Sequence, residues 1–215
     1  MKRRARSWQG VVAAVLLSVA ALAGAQDGFP APATSYPDAD AAAVRPQVPS
    51  PQDRKARRNL EKVLRLNPGN VPARVLNAWA LLQERGAPAS GYDAFESAIA
   101  AAPAGSLALR HAHWNYAWAL FSGAQTTRAM EHWQAAAQLH GGNPSWVPIT
   151  FALGLWLTGH NGRAIEYYQA AVNGDPDRWG EAAGVAEATR TWGTNEKLAI
   201  EAVHAAWRRK AKTDS

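Results

Sequence analysis

The 215-residue chain has no cysteine and only two methionines. Without thiols there is no disulfide framework, no thiolate metal site and no cysteine nucleophile. Strict alternation of apolar and polar residues is also missing, so half-buried strands are not expected. The chain lacks the strand-turn-helix signature of a serine hydrolase and the glycine-rich loop of a nucleotide phosphate site. Its six histidines form no H-E-x-x-H pair, and His111 and His113 lie about 200° apart around a helix, so they do not share a metal. Glu131, Glu166 and Glu201 read as solvated helix positions. No metal, cofactor or catalytic group is expected, and the chain does not read as an enzyme.

An excess of one charge is also absent once position is considered. The net charge is +6, but Lys2, Arg3, Arg4 and Arg6 stand at the start, and 23 − 4 = 19 basic residues remain against 17 acidic ones. The remaining +2 offers no electrostatic footprint for nucleic acid. Those four residues open a secretory pattern over residues 1–25: a basic start, a 13-residue apolar run from Val11 to Ala23, and Ala23-Gly24-Ala25 as a small-x-small cleavage site. The run is shorter than the ~20 residues a spanning helix needs. Cleavage near Ala25 is expected, leaving a periplasmic or secreted bacterial chain that starts at Gln26 and has no transmembrane segment.

Residues 26–52 carry Pro30, Pro32, Pro37, Pro46, Pro49 and Pro51 among small and polar residues without helical or strand period. They are expected to be a disordered, semi-extended leader acting as a spacer. From about Asp53 to Lys212 apolar residues recur at helical spacing and prolines stand at turns, which predicts an all-α domain over 53–212. In the last helix Lys197, Glu201, His204 and Arg208 form a polar stripe opposite Ile200, Val203 and Trp207.

What the chain does contain is a repeat. "NLEKVLRLNPGN" ends a helix near Pro68, "DAFESAIAAAP" at Pro103 and "RAIEYYQAAVNGDP" at Pro176, while "RAMEHWQAAAQLHGGN" places Gly141 at the matching point. The anchors are 35, 38 and 35 residues apart. Such spacing marks an array of similar units. The units run over about 53–70, 71–105, 106–143, 144–177 and 178–212.

These units resemble tetratricopeptide repeats, which have a period of about 34 residues and small, aromatic and proline residues at set positions of two antiparallel helices. In 144–177 the matching residues are Phe151, Ala152, Gly159, Ala164, Tyr168, Ala171 and Pro176. In 106–143 they are Ala129, Trp133 and Ala136, and in 71–103 Phe95, Ala98 and Pro103, with Gly91 where alanine is expected. The resemblance implies a solenoid of antiparallel helix hairpins wound into a right-handed superhelix, with a concave groove that binds a peptide or protein segment. It further implies a scaffold or adaptor in cell-envelope assembly or secretion.

Within "LRHAHWNYAWALF", residues 109–121, Arg110, Trp114 and Trp118 fall on one helical face. Positions matching Arg110 and Trp114 face the groove in the resembling family, and Trp156 is expected along the same wall. Arg110, Trp114, Asn115, Trp118 and Trp156 are therefore the candidate binding residues, tryptophan and arginine being the side chains most enriched at binding hot spots. Rings at helical spacing are also what a core contains, and the two alternatives stand together. Exposed tryptophans stack on sugars as well, so a glycan-binding envelope module is the alternative function. Arg54, Lys55, Arg57 and Arg58 gather at a helix start, where the macrodipole opposes them, and suggest a peripheral anionic contact softened by Asp53 as N-cap.

Overall fold

In the computed structural model, residues 29–84 and 88–213 are described. The expected leader at 1–25 and residues 26–28 lie outside them. The chain divides into two units, Met1–Pro30 and Ala31–Ser215, and the second holds every helix among the described residues.

Several of its helices begin where the sequence offers a side-chain acceptor for the free N–H groups of a first turn. Asp53 accepts from the Ala56 N–H and opens α1 (Arg54–Leu66). Asn70 does the same for α2 (Val71–Leu82) through Ala73 N–H. After α3 (Pro88–Ala101), Ser106 caps α4 (Leu107–Ser122) by accepting from Leu109 N–H. Helices stop for equally local reasons. Asn67 and Asp175 precede prolines and take φ −138° and −151°, outside the helical region that proline disfavours in its predecessor. Gly141, which replaces the anchor proline, ends α5 (Thr126–His140) with φ 76°, the left-handed conformation glycine adopts without a Cβ penalty.

The next pair is α6 (Val147–Leu157) and α7 (Asn161–Gly174), followed by α8 (Pro176–Trp179), α9 (Ala182–Ala188) and α10 (Thr194–Thr213). Among the described residues there are ten helices and no strand. Sequence neighbours pack most extensively as α2 with α3, α4 with α5, and α6 with α7. Glycine makes room at two helix contacts. A Cβ on Gly91 would lie 2.5 Å from the Leu82 side chain and 3.1 Å from its backbone nitrogen, which accounts for glycine where the repeat pattern expected alanine. A Cβ on Gly154 would meet the Met130 side chain of α5, so this glycine makes room for that side chain between α6 and the preceding pair. Helix α4 lies innermost, against α2, α3, α5 and α10, and Trp114 to Phe121 are buried without a break.

Two stretches differ from the sequence reading. Over 178–212 the expected hairpin is replaced by two short helices and one long one, and His204 leaves the solvent stripe. It is buried because its Nε2 lies 3.1 Å from the Gly180 carbonyl, a partner 24 residues away that helical periodicity does not reveal. The second difference is the leader. From Tyr36 to Arg45 the segment runs without helix, as its prolines dictate, but it packs on the helices instead of standing free. Its Ala42 is 1% exposed. What holds it are single carboxylates, backbone carbonyls and one arginine, groups that leave no period in a sequence.

Candidate functional site

The segment 36–45, here called the strap, lies along the N-terminal two-thirds of α4, and its contacts advance in step with that helix. At its start Asp38 makes an isolated parallel bridge to Pro144: its N–H donates to the Asn143 carbonyl (3.1 Å), its own carbonyl accepts from Ser145 N–H (2.9 Å), and its carboxylate accepts from Asn143 N–H (2.6 Å). Asp40 follows. Its side chain is fully buried and accepts from Arg110 Nε at 3.0 Å, with Arg110 Nη2 in ion-pair contact with the same oxygen at 3.0 Å, while Trp146 Nε1 donates to the other oxygen at 3.0 Å. Next, the Ala42 carbonyl lies 2.9 Å from His111 Nδ1, and the Val44 carbonyl accepts from Asn115 Nδ2 at 3.1 Å. The strap ends with the Arg45 guanidinium 4.0 Å above the Trp118 ring and 3.2 Å from Glu196 of α10.

Distances along the two elements agree. From Arg110 to Trp118 a helix rises ~12 Å, and the five residue steps from Asp40 to Arg45 reach at most ~17 Å when extended. The segment is shortened between these points by a tight turn at 41–42, where the Ala43 N–H donates to the Asp40 carbonyl and the Val44 N–H to the Ala42 carbonyl, both at 3.0 Å, and it meets successive turns of one helix. Burial lowers the Arg45 pKa, and Glu196 opposes that shift by favouring the charged form. Glu196 is itself well bonded, accepting from Ser122 Oγ (2.6 Å) and Gly193 N–H (3.1 Å).

Of the residues singled out from sequence, four meet at the strap. Arg110 grips Asp40, Trp118 lies under Arg45, and Trp114 stands beside Trp118 with ring centroids 6.0 Å apart. Asn115 is fully buried and joins three elements, accepting from Trp79 Nε1 of α2 at 3.0 Å while donating to Val44. The groove and core alternatives for the rings converge here. Trp114 and Trp118 are 7% and 4% exposed, and the strap is part of what covers them. Trp156, half-buried on α6, is not among the described residues that line this region.

The strap does not fill the space before α4. Beside it remains a cavity of about 540 Å³ bounded by Trp114, Trp118, Trp146, Trp179 and Trp192, with Arg45 and Arg178 at its edge. Arg178 lies 5.0 Å from the Trp179 ring centroid, and Trp118 and Trp192 are edge-on at 5.2 Å. The indole N–H groups of Trp114 and Trp118 are buried without an acceptor among the described residues. Sequence reading missed Asp40, Arg45, Trp146, Trp192 and Glu196. The only signal was a run with charge at both ends, "DADAAAVR", inside an otherwise nearly uncharged proline-rich segment.

A second polar cluster lies on the far side of α4. His113 and His132 face each other with Nδ1 atoms 2.8 Å apart, beside Tyr116, Glu96 and Arg128. Burial lowers both histidines; for His132 the neighbouring His113 and Arg128 add to burial and bring it to about 4. Burial and the Glu96 hydrogen bond raise the Tyr116 hydroxyl to about 12. Among the described residues no three metal-ligating side chains gather. The basic group at α1 is partly spent, since Arg57 pairs with Glu84 at 2.7 Å and donates to the Ala80 carbonyl, leaving Arg54, Lys55 and Arg58 exposed. No helix among the described residues is long and apolar enough to cross a membrane.

The fold and site define an all-helical chain of paired helices with a non-helical segment of its own laid on an aromatic and arginine-bearing helix. No protein-family model, curated protein or solved structure matches the chain.

Proposed function

We propose that this chain is an exported adaptor of the tetratricopeptide type, which holds a peptide or protein segment against the α4 wall and works in the bacterial cell envelope. The observation that carries the reading is the strap. A stretch of ordinary polypeptide without helix, turned once at 41–42, lies on that wall, its carbonyls bonded to His111 and Asn115 and its carboxylate accepting from Arg110 and Trp146. A wall that pairs with backbone carbonyls at successive turns is suited to a non-helical chain, and side-chain contacts then select among such chains. The period of 35 to 38 residues and the pairing of neighbouring helices support a right-handed superhelix with this wall on its inner side. The basic and apolar leader supports export, and with it a protein partner outside the cytoplasm.

Photo-crosslinking in cells tests the reading. A photoreactive residue at Arg178, on the cavity edge, is expected to give a protein adduct in the periplasmic fraction, and one at Arg65 on α1 is not. Because the strap covers the wall, Asp40→Lys, which places a cation against Arg110, is expected to increase the adduct. An Arg178 position silent in both backgrounds, or equal adducts from both positions, contradicts it. The five indoles bounding the cavity, two of which (Trp114 and Trp118) have unpartnered N–H groups, favour the second reading, a glycan ligand, because indoles stack on sugar rings and their N–H groups donate to hydroxyls. That reading predicts an adduct sensitive to glycan hydrolases and not to proteases.

A further inference from the structure

The strap shows more than that the wall accepts a chain, because three of its side chains are read individually. We infer that the α4 wall selects protein segments with a carboxylate, a small residue two positions later and an arginine three positions beyond that, and that the strap is a tethered competitor carrying this pattern. The inference rests on the peptide-binding reading above and specifies its partner.

Each element of the pattern has a separate physical cause. The carboxylate position is defined by Arg110 Nε and Trp146 Nε1, which donate to the two oxygens of the buried Asp40 side chain, with Arg110 Nη2 also 3.0 Å from the first oxygen. Bonds to an ionised acceptor are the strong ones, and a neutral side chain there leaves the guanidinium, which also donates to the Leu139 carbonyl, without its counter-charge. The small residue follows from Ala42, whose 1% exposure leaves no room for a longer side chain while its carbonyl meets His111. The arginine is defined by two surfaces at once, the face of Trp118 at 4.0 Å and the Glu196 carboxylate at 3.2 Å. A planar guanidinium stacks and pairs at the same time, which a lysine ammonium does not reproduce. The charges are complementary at both ends of the strap. Reversing the segment's direction would place arginine on Arg110 and carboxylate on Glu196, so polarity is selected with sequence.

Tethering explains why a pattern-bearing partner is needed. A segment joined to its own wall by a short linker acts at an effective concentration on the order of millimolar, so a free partner reaches the wall only by matching the contacts. Its apparent affinity falls by the fraction of time the strap is away.

The experiment uses the full chain with its strap expelled and its wall unaltered. The double variant Asp40→Lys, Arg45→Glu opposes cation to Arg110 and anion to Glu196. A separate variant, Ala42→Glu, expels the strap by crowding and serves if the first does not retain the helical circular dichroism of the parent. A labelled peptide of residues 36–47, "YPDADAAAVRPQ", is titrated and followed by fluorescence anisotropy. The native peptide is expected to bind the expelled variant at least ~10-fold tighter than it binds the parent chain. The peptide with lysine in place of Asp40 is expected to lose at least ~10-fold, as truncating a buried charge pair commonly does. Native and charge-swapped peptides binding the expelled variant equally overturns the pattern and leaves the peptide-binding wall standing. If neither they nor unrelated extended peptides bind the expelled variant, the wall reading itself fails.

Discussion

At the scale of single residues, the buried polar groups of this protein fall into two kinds. Asp40, Asn115 and Glu196 each have several partners, so their burial fixes one arrangement of strap, α2, α4 and α10. The pair His113 and His132 is different. With both Nδ1 atoms 2.8 Å apart, one ring donates and the other accepts, an arrangement that requires at least one of them neutral. His132 titrates near 4 in the folded protein against about 6.5 when unfolded, so the unfolded state binds more protons between those values. Stability is therefore full above about pH 6.5, declines as the pH is lowered toward about 4, and changes no further through this group below that. The melting temperature is expected to fall across this window, and His132→Gln, which keeps a hydrogen-bonding group beside His113 without titrating, is expected to flatten the fall. An unchanged pH profile in that variant assigns the decline to other groups.

At the scale of elements, helix ends were legible and long-range burial was not. Asp53, Pro68 and Pro176 announce caps and stops because capping and proline sterics act within three or four residues. Gly141 was visible as a missing proline, and its positive φ gives the reason. His204 was misplaced because the Gly180 carbonyl that buries it belongs to another element, and the division of 178–212 into α8, α9 and α10 was unreadable for the same cause. Gly184 illustrates this at the junction of the two short helices. A Cβ there would lie 2.1 Å from the Asp177 carbonyl oxygen and 2.9 Å from that of Arg178, both backbone atoms that cannot turn aside. Glycine to alanine within a helix ordinarily stabilises by up to about 1 kcal/mol. Here the sign is reversed: Gly184→Ala is expected to cost about 1–3 kcal/mol through overpacking, seen as a lower denaturant midpoint. A stabilised variant would mean that α8 and α9 are farther apart than described.

At the scale of the whole molecule, the strap changes how the candidate site is understood. Arg110, Trp114, Asn115 and Trp118 were selected from sequence as a wall for a partner, and the structure brings them together under a segment of the same chain. Trp156 was assigned to that wall by helical analogy and is not among the residues lining the cavity beside the strap. The strap itself was unreadable because Asp40, Ala42 and Arg45 acquire meaning only from Arg110, His111, Trp118 and Glu196, residues 69 to 151 positions away. Because the strap carries no helix and is held largely by side-chain contacts, it is expected to open without global unfolding of the helices. Amide hydrogen exchange on the intact chain measures this directly. The N–H of Asp38 and of Ser145, which bond across the bridge, are expected to be protected together and to exchange faster than the α4 amides. Adding peptide 36–47 in excess is expected to raise the Asp38 rate while the α4 amides stay unchanged. Strap amides that exchange freely in the parent chain, or that open only together with α4, contradict a wall whose occupant can be replaced.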